Sequence, residues 1–99
     1  MRAAESLARR SMQKSLKSAE YARLIDILVA ARQGAGLRQQ RLAKRLGKPQ
    51  SFIAKYEGGE RRIDVVEFVA IARALGADPL KLFRDYLADR PVKMARKRR

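Results

Sequence analysis

With 99 residues the chain supports one small domain with one core, and an apolar content of 46% is enough to build it. Its formal charge of +14, from 24 Lys and Arg against 10 Asp and Glu, draws it to a polyanion, either nucleic acid or an anionic membrane surface. Without Cys or His, disulfides and thiolate sites are excluded and a zinc ion would have only carboxylates to bind, so neither a metal nor a cofactor is expected.

Residues 1–17 carry five bases and one acid and read as a flexible or loosely helical basic arm. They are Arg- and Ser-bearing and acid-poor, as presequences are, but no apolar h-region of a secretory signal is present. The domain itself is expected over residues 18–90. Its first helix runs from Ala19 to Arg32, with Ser18 as N-cap and Glu20 in the first turn. Tyr21, Leu24, Ile25 and Leu28 form its apolar stripe, and Gly34 and Gly36 stop it. No apolar run is longer than Ile27–Ala31, which is far short of a membrane span.

A second helix is expected at Gln39–Leu46, with Gly47 as its left-handed cap, and a third from Pro49 or Gln50 to Glu57, ended by Gly58 and Gly59. The fourth begins at Asp64, where Glu67 completes a capping box and Ile63 staples onto Phe68; Gly76 ends it. The fifth starts with Asp78 as N-cap and Pro79 as first helical residue, and Pro91 marks its end. Residues 91–99 form a basic tail with five bases and no acid. With no sustained alternation of period two, the fold class is all-α, a compact five-helix bundle with basic N- and C-terminal arms. Its core is expected from Leu24, Leu28, Leu42, Ala43, Leu46, Ile53, Phe68, Ile71, Leu75 and Phe83.

Charge is concentrated in the two arms and in residues 32–62, where nine bases face two acids. Residues 63–90 are nearly neutral, with four bases and five acids. A solubilising surface would spread its charge, so the concentration favours an anion-binding face. Within residues 37–62, small Ala43, turn-forming Gly47 and plug-like Ile53 have the spacing that lets two helices cross steeply. A basic, short second helix on such a support suits the major groove.

The segments G-L-x-Q at Gly36–Gln39, L-A-x-x-L-G at Leu42–Gly47 and P-Q-S-F-I-x-K-Y-E-x-G-E-R-R-I-D at Pro49–Asp64 resemble the helix-turn-helix of the Cro/lambda-repressor family, also called the XRE family. Val65–Gly76 looks like that family's fourth helix, and the resemblance spans roughly residues 20–84. It implies a lambda-repressor-like domain binding double-stranded DNA as a homodimer. Gln50, Ser51 and Lys55 would face base edges; Gln39, Arg38, Lys48, Arg61 and Arg62 would hold phosphates. Phe52 has two readings, contact with a thymine methyl or partial burial beside Tyr56. Arg38 stands where the family often has a Thr or Ser cap, and Gly58 where a phosphate-contacting residue is frequent. Glu57 reads as structural, paired with a nearby Arg.

On the fifth helix Leu80, Phe83 and Leu87 can fill the core face, so Leu82 and Tyr86 have two readings, a place in the core or a dimer contact. The function implied is a cytoplasmic, nucleoid-associated, sequence-specific transcriptional regulator, a repressor by preference. Two alternatives keep the fold: an antitoxin that also masks a toxin partner, and a nonspecific architectural nucleic-acid binder using both arms. An enzyme is not expected, since there is no His or Cys, no phosphate-cradling loop and no convincing carboxylate pair.

Overall fold

Residues 18–88 are described by a computed structural model of the chain, and they form five helices with no strand among them. These are α1 (Ala19–Gly34), α2 (Gln39–Leu46), α3 (Gln50–Glu57), α4 (Val65–Ala74) and α5 (Pro79–Ala88). The arms expected at 1–17 and 91–99, and the end of the fifth helix before Pro91, lie outside the described residues.

Local chemistry accounts for the boundaries. The Ser18 hydroxyl accepts from the Tyr21 N–H at 3.1 Å and starts α1. α1 runs two residues past the expected end, because Gly34 is itself helical and Gly36 makes the turn, with Leu37 N–H closing onto the Arg32 carbonyl at 3.1 Å. α2 follows Arg38 as N-cap, whose side chain makes no capping bond, as a residue without a short acceptor must. Gly47 follows at φ 69°, a left-handed position that costs a side-chain-bearing residue strain, and it lets the chain reverse into α3 within three residues. The capping box of α4 is complete: Asp64 Oδ1 accepts from Glu67 N–H at 2.7 Å, and Glu67 Oε1 accepts from Asp64 N–H at 2.9 Å. Asp78 Oδ1 accepts from the Leu80 N–H at 2.9 Å and opens α5.

α2 packs on α3 and α4, α1 on α3 and α5, and α4 on α5. At the centre lie Leu28, Leu42, Ile53, Tyr56 and Ile71, all essentially sealed from solvent. Tyr21, Ile25, Ile27, Ala43, Ala72, Leu75 and Leu82 complete the core. Burying a side chain such as Ile53 contributes about 2 kcal/mol, and here that burial fixes the underside of α3.

The expected core needs correction at several positions. Leu24, Leu46 and Phe68 are only half-buried, and Ile27, which falls off the predicted stripe, is buried. The largest correction is on α5. Leu82, open between the core and a dimer contact, is 8% exposed and belongs to the core, and Tyr86 is half-buried beneath Arg23, which lies 4.9 Å from its ring. Leu80, Phe83 and Leu87, expected inside, are 60%, 45% and 66% exposed. α1 packs against the Leu82 and Tyr86 side of α5, which decides between two stripes that the sequence left equivalent.

Candidate nucleic-acid interface

The site is built on α3, whose eight residues divide cleanly. Ile53 and Tyr56 point into the core, three positions apart. Gln50, Ser51, Ala54 and Lys55 are exposed. The three residues expected to face base edges therefore share the outward side of one helix, on a firmly anchored base. Ala43 of α2, small and buried, lies in the same core as Ile53 and Tyr56.

A polar chain ties this surface to the interior. Arg32 on α1 grips Glu57 with two parallel bonds, Nε to Oε2 at 2.7 Å and Nη2 to Oε1 at 3.0 Å. Its Nη1 donates to the Leu37 carbonyl at 2.8 Å. The side chains of Arg32 and Glu57 are 12% and 7% exposed, so the pair sits in a medium that penalises either charge alone. Glu57 Oε1 also accepts from Gln39 Nε2 at 2.8 Å, and Gln39 Oε1 accepts from Gln50 Nε2 at 3.3 Å. Gln50 thus gives one amide hydrogen to Gln39 and keeps the other, together with Oε1. Those are the donor and acceptor that an adenine edge requires.

Of the residues expected at phosphates, Arg38, Lys48 and Arg62 are exposed, Gln39 is half-buried in the chain just described, and Arg61 is ion-paired. Arg61 donates to both Glu67 oxygens, at 3.0 and 2.9 Å, and to the Arg62 carbonyl at 2.9 Å. Two aromatic rings lie under these cations. The Arg62 guanidinium is 4.5 Å from the centre of the Tyr21 ring. Lys48 and Arg61 both lie over Phe52, which is half-buried and meets Tyr56 edge-on at 5.5 Å. Burial beside Tyr56 was one of the two readings for Phe52. The rings also anchor backbone, since the Tyr21 hydroxyl donates to the Arg61 carbonyl at 3.0 Å.

The titrating groups follow this geometry. The Arg61 guanidinium, and then the Asp64 N–H, hold the Glu67 carboxyl below its ordinary range. Burial pushes the Tyr56 phenol well above the usual tyrosine value and raises Tyr21 as well, although Arg62 and Arg61 oppose the second shift. α2 presents Arg38, Arg41, Lys44 and Arg45 outward. One of them has a structural task, since Arg45 caps the end of α4 by donating to the Ala74 carbonyl at 2.7 Å.

Sequence reasoning anticipated a structural Glu57 paired with an Arg but not which one, and it missed Tyr21 and Phe52 as supports for cations. A residue 25 positions away leaves no local signal for Glu57. The aromatic spacing of Phe52 and Tyr56 was visible, but not the folding of the 58–64 loop over it. Among the described residues no group of His, Cys, Asp or Glu could hold a metal ion, and no helix is long and apolar enough to cross a membrane.

Comparison with known proteins agrees with this geometry. Residues 28–82 match the model of a helix-turn-helix family. An XRE-family like protein from Pseudomonas syringae pv. tomato is 44% identical, with a TM-score of 0.72 over 82% of this chain and 99% of its own. The restriction-modification controller protein C.AhdI from Aeromonas hydrophila is 30% identical, with a TM-score of 0.61 over 67% of this chain and all of its own (100%). The clp gene regulator ClgR from C. glutamicum, at 16% identity, a TM-score of 0.65 and coverage of 78% of this chain and 100% of its own, shares the fold. No curated protein matches the chain.

Proposed function

The chain belongs to the XRE-type helix-turn-helix family and is a DNA-binding transcriptional regulator, and from that premise we propose that it is a sequence-specific repressor acting as a homodimer, with α3 in the major groove. The observation that carries this reading is the exposure of Gln50, Ser51 and Lys55 on one side of an α3 whose other side is locked by Ile53 and Tyr56. In the proposed complex Gln50 pairs with an adenine edge, Lys55 donates to guanine, and Ser51 adapts to either strand. Arg38, Lys48 and Arg62 meet phosphates and set the register; Gln39 and Arg61 assist from their bonded positions.

The second copy is proposed to dock on the α4–α5 face. Val65, Val66, Leu80, Phe83 and Leu87 are the large apolar residues left exposed among those described, and all five lie there. Val65, Leu80 and Phe83 also border an apolar groove of about 530 Å³ with Leu24, Ile63, Phe68 and Val69. An exposed apolar groove of this kind is a recognised mark of an interaction surface. In a protein of charge +14, residues 63–90 are the stretch where two copies meet with little repulsion, and docking there leaves α3 uncovered.

Two α3 helices related by a two-fold would enter successive major grooves about 34 Å apart. Selection of bound sites from a random duplex library tests the reading. It is expected to return paired half-sites with centres about 10 base pairs apart. Recovery of sites with no shared sequence would contradict it and favour a nonspecific architectural role.

A further inference from the structure

Phe52 stands at the third position of α3, half-buried, and its ring is the meeting point of two cations from different loops. Lys48, in the turn before α3, places its ammonium 5.2 Å from the ring centre. Arg61, in the loop after α3, places its guanidinium carbon at 4.8 Å. Tyr56, sealed in the core, holds the ring from below in an edge contact with an interplanar angle of 67°. The Glu67 carboxylate fixes one edge of the Arg61 guanidinium, leaving Nε–H and one Nη2 hydrogen without a bond among the described residues. Lys48 has no ion pair among those residues, and its backbone N–H is held by the Ala43 carbonyl at 3.0 Å.

We propose that Phe52 is a positioning residue for DNA binding: its ring holds Lys48 and Arg61 in place for the phosphates beside the groove that α3 enters. The inference rests on the DNA-binding reading above and adds to it a cause for how the backbone contacts are made. A lysine or arginine free in solvent loses most of its rotamer freedom when a phosphate fixes it. A cation already resting on an aromatic face has lost part of that freedom beforehand, so less binding energy is spent on ordering it. Lys48 carries the larger share of the attraction, because Glu67 balances much of the Arg61 charge. The same geometry weighs against a thymine contact as the main role of Phe52, since the ring is already occupied by Tyr56 at its edge and by two cations over it.

A double-mutant cycle tests this. Affinity for one selected duplex is measured for wild type, Phe52→Leu and Phe52→Tyr, each with Lys48 and Arg61 present and with both replaced by Ala. Phe52→Leu is expected to weaken binding about tenfold when both cations are present, as two cation–ring contacts would. It should weaken binding by less than about twofold when they are absent, because the ring then has nothing to hold. Phe52→Tyr, which keeps the ring, should bind as wild type. If Phe52→Leu melts below the assay temperature, Phe52→Met supplies the ringless variant. Wild-type affinity of the ringless variant overturns the proposal, as does a tenfold loss that persists without the cations. A loss confined to duplexes carrying thymine at one position also overturns it and assigns Phe52 a base contact. Repeating the cycle on a random duplex separates the two levels: equal wild-type affinity for selected and random DNA sinks sequence-specific function, while the cycle still reports on Phe52.

Discussion

The side of the domain that presents α3 and the side that presents α4 and α5 hold their exposed residues in different ways. On the α3 side a run of polar groups is tethered: Gln50 to Gln39, Gln39 to Glu57, Glu57 to Arg32, Arg61 to Glu67, and Lys48 over Phe52. On the other side Val65, Val66, Leu80 and Leu87 stand more than half exposed, with carbon surface for a partner to cover. A directional ligand with a fixed pattern of donors and acceptors demands groups that are pre-aimed, whereas an apolar partner needs only shape and area. The two faces share one small core, so each can be broken without the other.

The largest effect is expected at the tethered side. Glu57→Ala leaves Arg32 charged and nearly buried with no carboxylate, and should cost about 3 kcal/mol in a denaturant unfolding experiment. It should also release Gln39 and Gln50, so that DNA affinity falls even under conditions where the variant remains folded. Next comes the apolar side. Val66→Asp sits at a residue 77% exposed and should leave the melting temperature of the isolated domain almost unchanged. Sedimentation should shift it from dimer to monomer, and affinity for a two-half-site duplex should fall roughly 100-fold as the second helix no longer binds in concert. A dimer that survives this substitution would separate the apolar face from assembly.

At the border between the faces, Asp64→Ala removes the side-chain cap of α4 and should cost about 1 kcal/mol. Glu67 gives the smallest effect, and its sign is set by its lowered pKa. The stabilisation from its pairing with Arg61 and the Asp64 N–H is complete above the ordinary glutamate range and fades as pH falls through the depressed value. Urea midpoints should therefore converge for wild type and Glu67→Gln as the pH is lowered, and separate toward neutrality.

Much of the fold could be read from residues whose effect is local. Ser18, Gly47, Asp64 with Glu67, and Asp78 each act within a few positions, and each does what its chemistry predicts. The failures lie where distance along the chain decides. On α5 the stripe Leu80, Phe83, Leu87 and the stripe Leu82, Tyr86 both have helical spacing, and only the position of α1 selects the second for the interior. The site shows the same division. The outward placement of Gln50, Ser51 and Lys55 follows from the inward pull of Ile53 and Tyr56 on their own helix. The Arg32–Glu57–Gln39–Gln50 chain joins three helices, and no periodicity within any one of them announces it.

Base reading by α3 is tested most directly by Gln50→Ala. Relative affinities should be measured for the selected duplex and for variants carrying each of the other three base pairs at every position. Gln50→Ala is expected to flatten the preference at one position in each half-site, a loss of about 1–3 kcal/mol of discrimination, while affinity for random duplex stays unchanged. An unaltered preference at every position, or an equal loss on selected and random DNA, would contradict it.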